Sequence, residues 1–163
     1  MKRIIKLVVL SSVIVGIVTG CSNAKIETTE SSESKTIVSE LKKTKSTENF
    51  EVTIISAKIV ENELNTDVGK RTVELDVRAK NITDEDQSIG TGDFVIVGED
   101  GKEYAFTGNE NNFGDAVSAK KTLEGKGYYS IPNDMNYGVI VYNPFQSTEQ
   151  LKWETKFSPL DKK

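Results

Sequence analysis

Beyond Phe50 the chain is written in period two. Val73, Leu75, Val77 and Ala79 alternate with Thr72, Glu74, Asp76, Arg78 and Lys80, the pattern of a strand with one face in a core and one in water. Upstream, Phe50, Val52 and Ile54 share one parity while Ile55, Ala57 and Ile59 take the other, so a bulge near Ile54 and Ile55 is expected to reconcile them. Phe94 to Val97 is a solid apolar run, and Gly98-Glu99-Asp100-Gly101 turns it towards Tyr104 and Phe106, a hairpin signal with Asp-Gly supplying positive φ. Tyr129 and Ile131 end at Pro132, Tyr137 to Val141 alternate again, and Leu151, Trp153, Thr155 and Phe157 form the last strand.

Between these runs lie polar connections. Glu61 to Lys70 is one, and Thr107 to Ser118, rich in Asn and Gly, is another. Seven or eight short strands within residues 49–163, with no long helical period, predict one all-β domain, an antiparallel β-sandwich of immunoglobulin-like size.

The first twenty residues read differently. Lys2, Arg3 and Lys6 precede an apolar run from Leu7 to Val18, and Val18-Thr19-Gly20-Cys21 closes it, the order of a secretory signal peptide. A spanning helix wants about 20 predominantly apolar residues; this run is shorter and, with the residues that close it before Cys21, carries Ser11, Ser12, Thr19 and two glycines. Cys21 is the only cysteine, and a lone thiol is an odd leftover in an oxidising compartment. The tetrapeptide resembles the lipobox of bacterial lipoproteins. That resemblance implies cleavage before Cys21, acylation of its sulfur, and anchoring on the outer face of the cell membrane. A single acyl chain holds marginally and two or more hold firmly.

Residues 22–48 contain 11 Ser or Thr and 10 charged residues in 27, with no aromatic and no proline. Such a segment buries too little apolar surface to offset the entropy of ordering, so residues 21–48 are expected to be the lipidated cysteine and a disordered linker. Ile37, Val38 and Leu41 at helical spacing allow at most a marginal turn or two. The expected organisation is a signal peptide at 1–20, the linker at 21–48 and the sandwich at 49–163.

Removing residues 1–20 takes away three of the 21 basic residues and none of the 25 acidic ones, leaving a net charge of about −7. Nucleic acid is a poor partner for such a surface. There is no histidine, which excludes Ser-His-Asp and Cys-His machinery and the usual zinc sites. Ser118-Ala119-Lys120-Lys121 fits the Ser-x-x-Lys pattern of penicillin-interacting enzymes, but Ser22–Lys25, Ser32–Lys35 and Ser39–Lys42 fit it equally. Four matches in a Ser- and Lys-rich chain discriminate nothing.

The strand Thr72 to Thr83, the turn Asp100-Gly101-Lys102-Glu103-Tyr104 and the segment Leu123 to Pro132 resemble the successive signatures of a family of immunoglobulin-like extracellular domains of unknown function on Gram-positive lipoproteins. The resemblance spans residues 50–157 and implies a sandwich fold and a surface location. It lends no catalytic residue and no cofactor. Glu124-Gly125 stands where such domains commonly have Pro-Gly.

The expected function is therefore a non-enzymatic interaction module facing a protein or cell-envelope partner. Its candidate binding residues are Asn109, Asn111, Asn112 and Phe113, because long loops on a rigid scaffold carry recognition and Phe113 offers an apolar anchor. The alternative is a small-ligand or calcium site on the acidic turns, with Asp84 and Asp86 as ligands, since calcium takes six to eight oxygens. Tyr128, Tyr137, Tyr142 and Trp153 are expected to serve the core rather than a ligand patch.

Overall fold

The computed structural model describes residues 37–145 and 147–159. Cys21, the signal peptide and most of the expected linker lie outside the described residues.

Two antiparallel four-stranded sheets face each other. One has the order β1 (Thr44–Ser46), β2 (Phe50–Val60), β3 (Lys70–Asn81) and β8 (Thr122–Pro132). The other has the order β10 (Leu151–Lys156), β9 (Tyr137–Tyr142), β5 (Phe94–Val97) and β6 (Glu103–Tyr104). A two-stranded ribbon of β4 (Gln87–Gly90) and β7 (Gly114–Val117) completes the domain. The chain is an all-β antiparallel sandwich, as its alternation predicts.

The core follows from the pleat. Val73, Leu75, Val77 and Ala79 turn inward from the central strand β3 and are fully buried, while Glu74, Arg78 and Lys80 point outward, where Lys126, Glu124 and Glu51 pair with them. In β2 the register shifts between Ile54 and Ser56. This bulge lets Phe50, Val52 and Ile54 on one side of it and Ala57 on the other all face the interior. In the β5–β6 hairpin, Gly101 takes φ of 76° and its N–H donates to the Gly98 carbonyl at 3.0 Å.

Three strands add to those read from the sequence: β1, β4 and β7. The first revises the domain boundary. Residues 39–48, expected in the linker, belong to the folded unit and contain no helical turn. Thr44 to Ser46 pair with Glu51 to Thr53. The Glu40 N–H donates to the Glu154 carbonyl at 2.8 Å, and the Lys42 N–H to the Ile54 carbonyl at 2.8 Å. Leu41 packs on the core. The strap thus satisfies backbone groups along the outer edge of β10 that an open sandwich leaves bare. Composition misses this because the β10 residues that hold the segment, Trp153, Glu154 and Thr155, lie more than 100 residues away.

The strap also sets a direction. Ser39 meets Thr155 (3.0 Å), Glu40 meets Glu154, and the Glu48 N–H reaches the Glu149 carboxylate (3.1 Å). Residues 39–48 therefore run antiparallel to β10. They enter the fold beside the end of that strand and leave it beside its start, roughly 17 Å further on.

Candidate functional site

The Asn-rich segment after β6 is a strap over the other seam. The Thr107 N–H donates to the Tyr128 carbonyl (2.7 Å) and the Phe113 N–H to the Lys126 carbonyl (2.9 Å), so the free edge of β8 is covered. Its asparagines are employed locally. Asn112 Nδ2 donates to the Thr107 carbonyl (2.7 Å) while its Oδ1 receives the Tyr128 N–H (3.0 Å). Asn109 Oδ1 receives the Asn111 N–H (2.9 Å), and its Nδ2 lies 3.4 Å from Asn62 Oδ1. Asn111 is exposed.

Phe113 does not project as an anchor. Its ring is half-buried, 6.0 Å from that of Phe94, and it lies directly over Gly125, where an added Cβ would stand 2.4 Å from Phe113 Cβ. The glycine at 125 is what admits the ring. The last third of the expected loop is β7, with Val117 in the core. The four candidate residues are thus brought together, but chiefly as structural parts of the seam.

The acidic turn is organised by a side chain that sequence reasoning did not single out. Asn81 is fully buried. Its Nδ2 donates to the carbonyls of Glu85 (2.7 Å) and Val117 (2.8 Å), and its Oδ1 accepts from the N–H and hydroxyl of Thr83. Asp84 then pairs with Lys120 (3.1 Å), and Asp86 receives the Ala119 N–H (3.2 Å). Each carboxylate has its own protein partner. Among the described residues no three acidic, histidine or cysteine side chains converge as a metal site would require. In the β5–β6 turn, the Lys102 backbone N–H and then its ammonium hold the Asp100 carboxyl below its usual range.

The aromatic residues serve the interior. Trp153 is fully buried and its indole N–H donates to the Lys43 carbonyl. Tyr129 donates to the Thr91 carbonyl at 2.8 Å, and the Tyr142 ring packs against Phe94 with centroids 5.0 Å apart and planes tilted by 48°. Burial, and then the neighbouring Glu74, push the Tyr128 hydroxyl up to about 12.

One cleft is built differently. At the end of the sandwich where β10 begins, the turn 47–49, the start of β4 and residues 144–145 and 147–149 enclose a groove of about 460 Å³. Phe145 stands on its rim, 89% exposed. The sequence signal was slight: one aromatic within the polar, turn-forming run that follows Asn143-Pro144.

With this geometry in hand, the comparisons are specific about family. A model described as a domain of unknown function, DUF4352, matches residues 39–152. The chain belongs to this family. The match begins at residue 39, where the strap first touches β10, so the DUF4352 domain includes the strap.

Solved structures share the fold at low identity. The lipoprotein candidate ycdA from Bacillus subtilis superposes with a TM-score of 0.60 at 16% identity, over 72% of this chain and 39% of that one. The chain therefore spans well under half of ycdA. The secreted protein MPT63 from Mycobacterium tuberculosis gives 0.53 at 15% identity, over 65% of this chain and 82% of that one. The yjhA protein of Bacillus subtilis gives 0.53 at 18% identity, over 72% and 98%. Among curated protein sequences none matches significantly. The DUF4352 domain thus shares its β-sandwich with proteins whose activities are not defined by these likenesses.

Proposed function

We propose that this protein is a lipid-anchored lipoprotein of the outer membrane face, and that its immunoglobulin-like DUF4352 domain is a non-catalytic interaction module for a protein or cell-envelope partner. The observation that carries the reading is Val18-Thr19-Gly20-Cys21 at the end of the apolar run. The description of ycdA as a lipoprotein candidate and of MPT63 as secreted supports an extracytoplasmic setting. The absence of histidine from the chain removes imidazole as a general base.

The architecture is suited to display. Residue 37 lies on the side where β10 ends, so the groove bearing Phe145 sits at the far end of the strap. Both seams of the sandwich are closed by chain of its own, so a partner meets the loop ends or the outer sheet faces rather than a bare strand edge.

Detergent phase separation of the parent and Cys21→Ala tests the anchor. The parent is expected in the detergent layer and the variant in the aqueous one; the same distribution for both overturns the anchoring. Retention of the lipid-free Cys21→Ala variant on isolated envelopes tests the interaction role, and a variant that passes through unretained overturns it.

A further inference from the structure

We propose that the groove beside Phe145 binds a glycan, neutral or amino-substituted, with the ring as stacking platform and Asn49, Gln87, Ser88 and Thr148 as contacts to its hydroxyls. The inference rests on the interaction-module reading and names the ligand class for it.

A single exposed ring is ordinary on a protein surface. Its setting here is not. Asn49, Gln87, Ser88 and Thr148 line the same groove, and none of their side chains has a hydrogen-bond partner among the described residues, in contrast to Asn109 and Asn112 of the 107–113 strap. Amides and hydroxyls both donate and accept, as sugar hydroxyls do. A sugar ring also has an apolar C–H face, which an aromatic face with its negative quadrupole attracts. A flat ring beside unpartnered amides and hydroxyls is complementary to both sides of such a ligand. The volume falls within the range of small-molecule sites, about 300–1,000 Å³.

Charge narrows the class. Among the described residues, Glu48 and Glu149 are the only charged side chains lining the groove, and the Glu149 carboxylate is held there by the Glu48 N–H at 3.1 and 3.3 Å from its two oxygens. Anionic polymers are repelled, whereas an ammonium on a sugar is attracted by the carboxylates and by the ring face. An extended peptide is the poorer fit. Peptides add to free sheet edges, and the neighbouring edge of β10 is occupied by the strap.

The test uses the full chain in detergent micelles, titrated with hexamers of N-acetylglucosamine and of glucosamine, with dextran sulfate as the anionic comparison. Backbone amide signals of residues 47–50, 87–88, 145 and 147–149 are expected to shift with the two hexamers. Phe145→Ala is expected to weaken binding about tenfold, the loss of roughly one aromatic stacking contact, and Gln87→Ala several-fold, with unfolding temperature unchanged in both. The proposal is overturned if neither hexamer shifts these amides, if Phe145→Ala binds as the parent does, or if dextran sulfate binds as tightly. Retention of the lipid-free Cys21→Ala variant on isolated envelopes separates the two readings. Retention that survives removal of envelope glycan means a protein partner, which ends the glycan proposal and leaves the interaction module standing. Absence of retention ends both.

Discussion

The indole N–H of Trp153 donates to the backbone carbonyl of Lys43 at 2.8 Å, and the Lys45 ammonium lies 5.4 Å from the centre of the same ring. One buried side chain of the last strand thereby clasps the segment through which the chain enters the fold. Trp153→Phe removes the donor and leaves a void in a fully buried site, so a loss of about 2–4 kcal/mol is expected. Urea unfolding followed by far-UV circular dichroism measures it.

The strap makes the domain boundary testable. A chain lacking residues 1–36 is expected to unfold in one cooperative step. A chain lacking residues 1–48 loses β1, Leu41 and the bonds to β10; at about 0.5–1.5 kcal/mol per hydrogen bond the cost is at least about 3 kcal/mol. It also exposes a sheet edge, so sedimentation should show aggregation. Equal stability of the two chains contradicts the role given to the strap.

Gly125→Ala sets a Cβ against Phe113. Such overpacking costs about 1–3 kcal/mol. Phe113→Ala in the same chain removes the obstruction, so the double variant should be less destabilised than the sum of the singles, by about 1 kcal/mol or more. A thermal double-mutant cycle reads the coupling.

Alkaline pH should unfold the protein. Burial first, and Glu74 second, raise Tyr128 from 10.0 to about 12; burial raises Tyr129 and Tyr142 as well. A group whose folded pKa lies above its unfolded value favours the folded state until the unfolded chain begins to ionise. This contribution is complete below pH about 10 and lost progressively as pH climbs through about 12. Tyrosinate absorbance and circular dichroism should change together. Ionisation of all five tyrosines near pH 10 in a folded chain contradicts this.

Calcium at millimolar concentration should leave the unfolding temperature unchanged, because Asp84 and Asp86 already have separate partners. Stabilisation by calcium that Asp84→Asn with Asp86→Asn abolishes would restore the cation reading. Asn81→Ala, by contrast, removes four hydrogen bonds from a fully buried site, those to the Glu85 and Val117 carbonyls and those from the Thr83 N–H and hydroxyl, at an expected cost of about 2–3 kcal/mol with or without calcium.

Local pattern carried much of this protein. The period-two runs specify the long strands, their inward faces and even the bulge in β2, because a strand with one wet face must alternate. The Asp-Gly turn of the β5–β6 hairpin was legible for the same reason: positive φ at Gly101 is a local requirement. Absence of histidine, the lone Cys21 and the acidic balance limit chemistry and suggest location without any coordinates.

Other features depend on distance in space rather than in sequence. Residues 39–48 look like linker until β10 offers them an edge. Phe113 looks like an anchor until Gly125 leaves room beneath it. Asp84 and Asp86 look like ligands until Lys120 and the Ala119 N–H take them, and the groove beside Phe145 joins three segments spread over residues 47–149. Which backbone groups are already satisfied, and which amides and hydroxyls remain free, is settled only when distant segments meet. For that reason the sandwich was written in the chain's own alternation, whereas the surface left for a partner was decided by tertiary packing.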